Sequence, residues 1–267
     1  MPVPDGVAPF DALVLAGRRG TVDALARARG ASHRALLPVA GVPMLVRVIG
    51  ALRDARRVGR IQVSIDAPEL LDAHAELAAW RRDDRLSVHP SLDSPARSAA
   101  DALAKLERAR VLVTTADHAL LTGARIDRFL DAADATGADV GVGVVERAAF
   151  DGCPEREQRT WVRLRGGAYT GANLFAFRTA NARRAAEFFA RAERQRKKPW
   201  KLLAAFAPGL GLAYLTGRLD LDRAFAEASR RAGARLAPVA IDDAEAAIDV
   251  DKASDLELAE AILLRRG

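Results

Sequence analysis

Residues 13–45 read LVLAGRRGTVDALARARGASHRALLPVAGVPML, and the order of features in this stretch decides the fold. A short apolar run from Ala12 to Ala16 stops at Gly17, the pattern of a fully buried strand running into a tight turn. Gly17 and Gly20 bracket Arg18 and Arg19. A glycine-bracketed turn leaves its backbone N–H groups open to an anion, because no Cβ blocks close approach. Arginines within it add planar donors suited to phosphate oxygens. A polar, arginine-rich loop leads to Arg34-Ala-Leu-Leu-Pro38, and Gly41-Val-Pro43-Met-Leu45 then opens an amphipathic helix.

Outward from this stretch, strand and helix patterns alternate. Strands are expected at 11–16, 61–65, 85–89, 111–115 and 138–145, and helices at 43–57, 68–80, 94–108 and 124–135. That alternation predicts a mixed, mostly parallel sheet with helices on both faces. Ligands of such sheets bind beyond the carboxyl ends of the strands, where strand order reverses, and Gly17 and Asp117 both belong there. From about 146 the rhythm changes. A polar loop covers 146–159, hairpin strands are expected at 160–165 and 169–178 around Gly166-Gly167, and helices at 180–195, 199–206 and 221–231. A strand at 236–241, an extended piece at 246–251 and a helix from Ser254 close the chain. We expect one domain over 1–267: a ligand-binding half at 11–145, an insertion at 146–240, and a closing strand and helix at 241–267.

Composition narrows the classes of function. The chain has 267 residues, of which 50% are hydrophobic, enough to bury a sizeable core. Lys+Arg total 41 against 35 Asp+Glu, a net charge of +6, and only five of the basic residues are lysine. The charge is spread through helices with acidic residues interleaved, and neither a basic tail nor an aromatic platform is present, so a nucleic-acid partner is not expected. The single Cys153 excludes an internal disulfide and a cysteine metal cluster. Residues 1–10 do not read as a signal peptide and no run has membrane-spanning length, so a cytoplasmic protein without membrane contact is expected.

The ordered set LAGRRG, Arg34-Ala-Leu-Leu-Pro38 and Gly41-Val-Pro43-Met-Leu45 resembles the signature of the MobA-like NTP-transferase family. That resemblance implies a GT-A type, Rossmann-like nucleotidyltransferase fold, with residues 146–240 forming the acceptor side. It implies transfer of a nucleoside monophosphate from an NTP, GTP or CTP, to a small phosphorylated acceptor, with release of pyrophosphate. In this chain arginine stands at the second glycine of the motif, and Arg34 where lysine is usual. By the resemblance, Leu15, Ala16, Gly17, Arg18 and Gly20 hold the nucleotide, and Arg19 and Arg34 act on its phosphates.

The chemistry also needs carboxylates, because Mg²⁺ takes oxygen ligands, usually one or two carboxylates plus phosphates and water. Asp117, just past a buried strand, resembles the family's metal-binding Asp. In Ile248-Asp-Val-Asp-Lys-Ala-Ser-Asp255 the family's closing element puts Asp251 at the second metal position, with Asp249 two residues before it. Asp255 is expected in the first turn of the final helix. Ser98, in the small-residue stretch 94–102, either meets a base edge or follows a plain N-cap at Ser94. Asn173 beside Gly171 either reaches an acceptor or serves a turn. Lys198, in the lysine-rich stretch 197–201, either faces a phosphate or sits in a basic loop. Two further classes stay open at this level: a GT-A glycosyltransferase using a nucleotide sugar, and a non-catalytic nucleotide-binding protein. Homodimerisation is left open as well.

Overall fold

A computed structural model describes residues 8–18, 23–106, 109–151, 153, 159–192 and 208–266. The chain begins with β1 (Phe10–Leu15), whose residues are almost all buried, as the apolar run from Ala12 requires. A short helix α1 (Ala24–Ala28) and a single 3-10 turn at Arg34–Leu36 follow. A two-residue hairpin, β2 (Pro38–Val39) with β3 (Val42–Pro43), turns through Ala40 and Gly41, both at positive φ. Next come α2 (Met44–Asp54), β4 (Val58–Ile65), α3 (Glu69–Asp72), α4 (Ala75–Arg81), β5 (Leu86–Pro90), α5 (Pro95–Lys105), β6 (Val111–Thr115), α6 (Gly123–Ala135) and β7 (Val140–Glu146). The remainder comprises β8 (Val162–Leu164), β9 (Gly167–Phe177), α7 (Ala182–Ala192), α8 (Pro208–Leu215), α9 (Leu221–Ala232), β10 (Leu236–Ala240) and α10 (Ala253–Arg266).

The main sheet runs β10-β7-β9-β6-β1-β4-β5, with β8 paired to β9 as its eighth strand. It is parallel except around β9, which is antiparallel to β6, β7 and β8. It is therefore the mixed, mostly parallel sheet flanked by helices that the strand–helix alternation predicts. β1 lies between β4 and β6. After β1 the chain moves one way to β4 and β5, then returns to the other side of β1 for β6. The turns after β1 and β6 consequently diverge over one crevice, the position where open sheets of this kind bind ligands.

The main core packs α2 and α6 against the sheet through side chains such as Phe10, Leu45, Ile49, Ile61, Ile126 and Leu130, all with no solvent exposure. A second cluster joins α5, α7 and α9 on the other face. Several arginines are structural: Asp134 of α6 accepts from Arg57, Arg110 and Arg178, tying that helix to the end of the sheet remote from the crevice.

Local differences from the expected elements have physical causes. The helix expected over 68–80 is two helices, because His74 adopts an extended conformation (φ −107°, ψ 121°). Leu71 and Leu77 are both fully buried, yet on one continuous helix they would lie about 120° apart. The break lets both face the core. Helix α8 was not expected from the sequence, and the helix expected at 199–206 lies outside the described residues.

Candidate active site

Beyond the carboxyl ends of β1, β4 and β6 lies a cavity of about 310 Å³. Leu15, Ala16, Gly17, Arg18, Arg34, Ser98, Asp117 and Asp251, all singled out from the sequence, line it. Arg19, Gly20 and Lys198 lie outside the described residues. Asn173 lines a second, neighbouring cavity of about 500 Å³, and Asp251 borders both.

The turn after β1 is built by close approach. A Cβ on Gly17 would sit 2.6 Å from Ser91 Oγ and 2.7 Å from Ser91 Cβ, so only glycine fits without displacing the β5–α5 loop. Ser91 is in turn held by its N–H donating to Ile65 O at 3.2 Å. The next residue, Asp66, accepts from Arg18 twice, from its backbone N at 3.0 Å and its Nε at 2.6 Å. Buried His33 completes the arrangement with Nε2 3.1 Å from Asp66 Oδ1. His33 Nδ1 accepts from Ala35 N, so Nε2 carries the ring proton and donates. Burial alone would raise the Asp66 pKa, but the bonds from Arg18 and His33 bring it down to about 2.

Ser98 is buried, with Oγ donating to Ser94 O at 2.9 Å and accepting from Leu92 N at 2.8 Å. Its only proton is thus committed to the backbone, and it can offer a ligand no more than a remaining lone pair. Ser94 is the N-cap of α5. Both readings of this stretch therefore describe parts of one local structure: a capped helix start bordering the cavity.

At the opposite side of the cavity stand carboxylates. Asp117 O accepts from Val250 N at 3.0 Å, which joins the turn after β6 to the closing segment more than a hundred residues later. Arg34 locks the same junction, with Nη1 donating to Asp23 at 3.0 Å and Nη2 donating to Val250 O at 2.8 Å and Asp251 Oδ1 at 3.0 Å. Its Nε is buried and has no partner among the described residues. Asp117 Oδ1 is likewise buried and unpartnered among the described residues. Burial, with the Asp249 and Asp251 charges adding, pushes the Asp117 carboxyl up to about 6 against the nearby Thr115 hydroxyl and Arg34. The Asp249 carboxyl is also raised, first by burial and then by Asp251.

The second cavity is floored by β9 and walled by residues 247–255. Arg159 organises it: its buried guanidinium donates to Ala247 O at 3.1 Å, Asp249 Oδ1 at 2.8 Å and Asp255 Oδ1 at 2.7 Å. Asp255 Oδ2 accepts from Asp251 N and Lys252 N, both at 3.1 Å. Its first-turn position was legible in the sequence, whereas its link to Arg159 was not. Asn173, at φ 50°, donates from Nδ2 to Asp249 Oδ2 at 3.3 Å. Asn173 thus lies inside β9 rather than in a turn, at a positive φ where the pairing with β7 shifts register, and its amide meets Asp249 in the cavity wall. Asp66 and His33 are site-building residues that sequence reasoning missed. An isolated Asp after a strand and an isolated His in a loop carry no spacing signal.

Comparison with known proteins agrees with this architecture. Residues 12–208 match the family described as the MobA-like NTP transferase domain. A hypothetical transferase from Thermus thermophilus is 30% identical and superposes with a TM-score of 0.75, covering 93% of this chain and 99% of its own. CMP:2-keto-3-deoxy-manno-octonic acid synthetase complexed with CTP shares the fold at 14% identity and TM-score 0.60, covering 98% and 100% of the two chains. So does 4-diphosphocytidyl-2C-methyl-D-erythritol synthase from Anaerococcus prevotii DSM 20548, at 12% identity and TM-score 0.60, covering 97% and 99%. The comparison with curated proteins found no match. The turn after β1, the carboxylates after β6 and before α10, and the sequence match agree: the chain belongs to the MobA-like NTP transferase family of nucleotidyltransferases.

Proposed function

We propose that the protein transfers a nucleoside monophosphate from GTP or CTP to a small phosphorylated acceptor, with Mg²⁺ as cofactor and pyrophosphate as the second product. The observation that carries this reading is the shared wall: Asp251 borders both the cavity after β1 and the cavity over β9. Two reactants seated in those cavities would meet at Asp251. The acceptor side is then residues 146–240, which supply Arg159, Thr170 and Asn173 to the second cavity.

In the proposed reaction an acceptor oxygen forms a bond to the α-phosphorus. The bond from that phosphorus to the bridging oxygen breaks, and the electron pair leaves on pyrophosphate. Catalysis of this kind is mostly positioning plus stabilisation of charge on phosphate oxygens. Leu15 to Arg18 would line the nucleotide site, with Ala16 N and Arg18 N already donating to Ser64 O and Asp66 Oδ1, and Arg19 and Gly20 would also contact the nucleotide. Arg34 would hold Asp251 in place through Nη2 and set its positive charge beside the phosphates. Asn173 and Lys198 would hold the acceptor.

Mg²⁺ suits the donor set. Asp117 and Asp251 border one cavity, an Asp117 oxygen lacks a partner among the described residues, and the Asp249 and Asp251 charges add to the burial that raises the Asp117 carboxyl. Among the described residues no cluster of three or more His, Cys, Asp or Glu side chains forms a metal cage. Magnesium needs none, since it is commonly held by one or two carboxylates together with substrate phosphates. Asp117 and Asp251 would hold it, and when bound it would neutralise developing charge on the α-phosphate.

The test is a panel of four NTPs with and without Mg²⁺, read by thermal unfolding, followed by pyrophosphate release with candidate sugar phosphates and phosphorylated cofactor precursors. Saturation at about 100 times the Kd should stabilise the fold by roughly 2.7 kcal/mol. Release of a nucleoside diphosphate from a nucleotide sugar would instead assign the chain to glycosyl transfer. Absence of stabilisation by any NTP would overturn the proposal.

A further inference from the structure

The cavity after β1 has two chemically different ends. One holds Asp117, Asp251, Asp23 and Arg34, groups suited to a metal ion and phosphates. The other is bordered by Leu92, Pro95 and Ser98 at the start of α5. Leu92 is 39% exposed there, an apolar side chain left uncovered at the cavity edge where a flat base could pack. Arg18 belongs to this second end. Gly17 touches Ser91, Ser91 is bonded to Ile65, and Asp66, the next residue, holds Arg18.

The way Arg18 is held is informative. Asp66 takes its backbone N–H and its Nε–H, and His33, buried and fixed by Ala35, steadies Asp66 from behind. This anchors the inner edge of the guanidinium plane. Among the described residues no acceptor takes Nη1 or Nη2, and the side chain is 42% exposed. A planar fork is thus preorganised with its outer, donor-only edge free in the cavity wall on the β4–β5 side.

We propose that Arg18 reads the base, its terminal nitrogens donating side by side to two adjacent acceptor atoms on one base edge. Such a pair exists on guanine at O6 and N7, and on cytosine at N3 and O2. Adenine places its N6 amino donor beside N7, and uracil separates its two carbonyls by the N3–H donor. The fork therefore admits guanine or cytosine and rejects adenine and uracil, leaving a donor facing a donor in the rejected cases. This deepens the proposed nucleotide site and rests on it.

The experiment is titration calorimetry of the full chain in Mg²⁺ with GTP, CTP, ATP, UTP and 7-deaza-GTP, for wild type, Arg18→Met and Arg18→Lys. Melting temperature checks that each variant is folded. Wild type should favour GTP or CTP over ATP and UTP by roughly 10- to 100-fold, the range of one bidentate contact to a base. Arg18→Met should erase that preference by weakening only the favoured nucleotide. Arg18→Lys, which keeps the charge but not the fork, should do the same, and it carries the test alone if the methionine variant does not fold. Weaker binding of 7-deaza-GTP than GTP assigns the guanine edge, and preference for CTP over UTP assigns the cytosine edge. Equal weakening of all four nucleotides would make Arg18 a phosphate contact and overturn base reading while leaving the nucleotide site intact. Equal wild-type affinity for all four would also overturn it. Binding of none would remove the nucleotide site itself, and base reading with it.

Discussion

Replacing Asp117 with asparagine is expected to stabilise the metal-free protein while abolishing its chemistry. The Asp117 carboxyl is raised from 3.8 to about 6, chiefly by burial and further by Asp249 and Asp251. An acid whose folded pKa exceeds its unfolded value holds its proton more tightly in the folded state. Its contribution is fully present below about pH 3.8 and is lost as pH rises through about 6. At 1.36 kcal/mol per unit, the wild-type protein forgoes up to about 3 kcal/mol at pH 7.5 for ionising this group. Asparagine has the same shape, carries no charge, and offers an N–H donor to the neighbouring carboxylates. Urea unfolding at pH 7.5 in chelator should therefore show the variant more stable by roughly 2–3 kcal/mol. At pH 5 the gain should shrink to about half, and near pH 4 it should nearly vanish. Adding Mg²⁺ should raise the wild-type midpoint more than the variant's, and pyrophosphate release should be lost in the variant. Equal or lower stability of Asp117→Asn at pH 7.5, or a gain that does not shrink with acid, would refute the reasoning.

Three other perturbations test the surrounding geometry. Arg34→Ala should lower turnover by roughly 10²-fold, as does loss of a transition-state hydrogen-bond donor. Arg34→Lys should retain more activity than the alanine variant, and full activity of Arg34→Ala in steady-state kinetics would exclude a role. Arg159→Met leaves the Asp249 and Asp255 carboxylates without their cation and should cost roughly 3–5 kcal/mol in urea unfolding, the range for breaking one side of a buried ion pair. A loss below 1 kcal/mol would show that the clamp contributes little. Buried His118 has its pKa pushed down to about 3 by burial, with Arg125 adding. Its contribution is fully present above about pH 6.5 and is lost as pH falls toward 3. Measured in the Asp117→Asn background, where the opposing titration is absent, unfolding free energy should decline through that window. His118→Phe should flatten the decline, and an unchanged slope would assign the acid sensitivity elsewhere.

The sequence by itself determined what depends on neighbours along the chain. Short apolar runs, Ala12–Ala16 and Val111–Val113, marked β1 and β6 because a strand covered on both faces shows little polar side. Gly17 and Asp117 could be placed at the crevice because both directly follow such strands, and Ser94 announced α5 because a cap acts on the N–H groups just beyond it. Tertiary structure alone decided which distant elements meet. The hairpin pattern around Gly166-Gly167 marks a strand over 169–178, but inserting β9 antiparallel between β6 and β7 depends on three-dimensional packing that local sequence does not encode. The same holds for the polar ties: Arg34 to Asp251, Arg159 to Asp249 and Asp255, and Arg18 to Asp66 and His33. The motifs single out Arg18, Arg34 and Asp251, but nothing in the sequence pairs them with these partners. Each tie forms only when folding brings groups distant in sequence within hydrogen-bond reach.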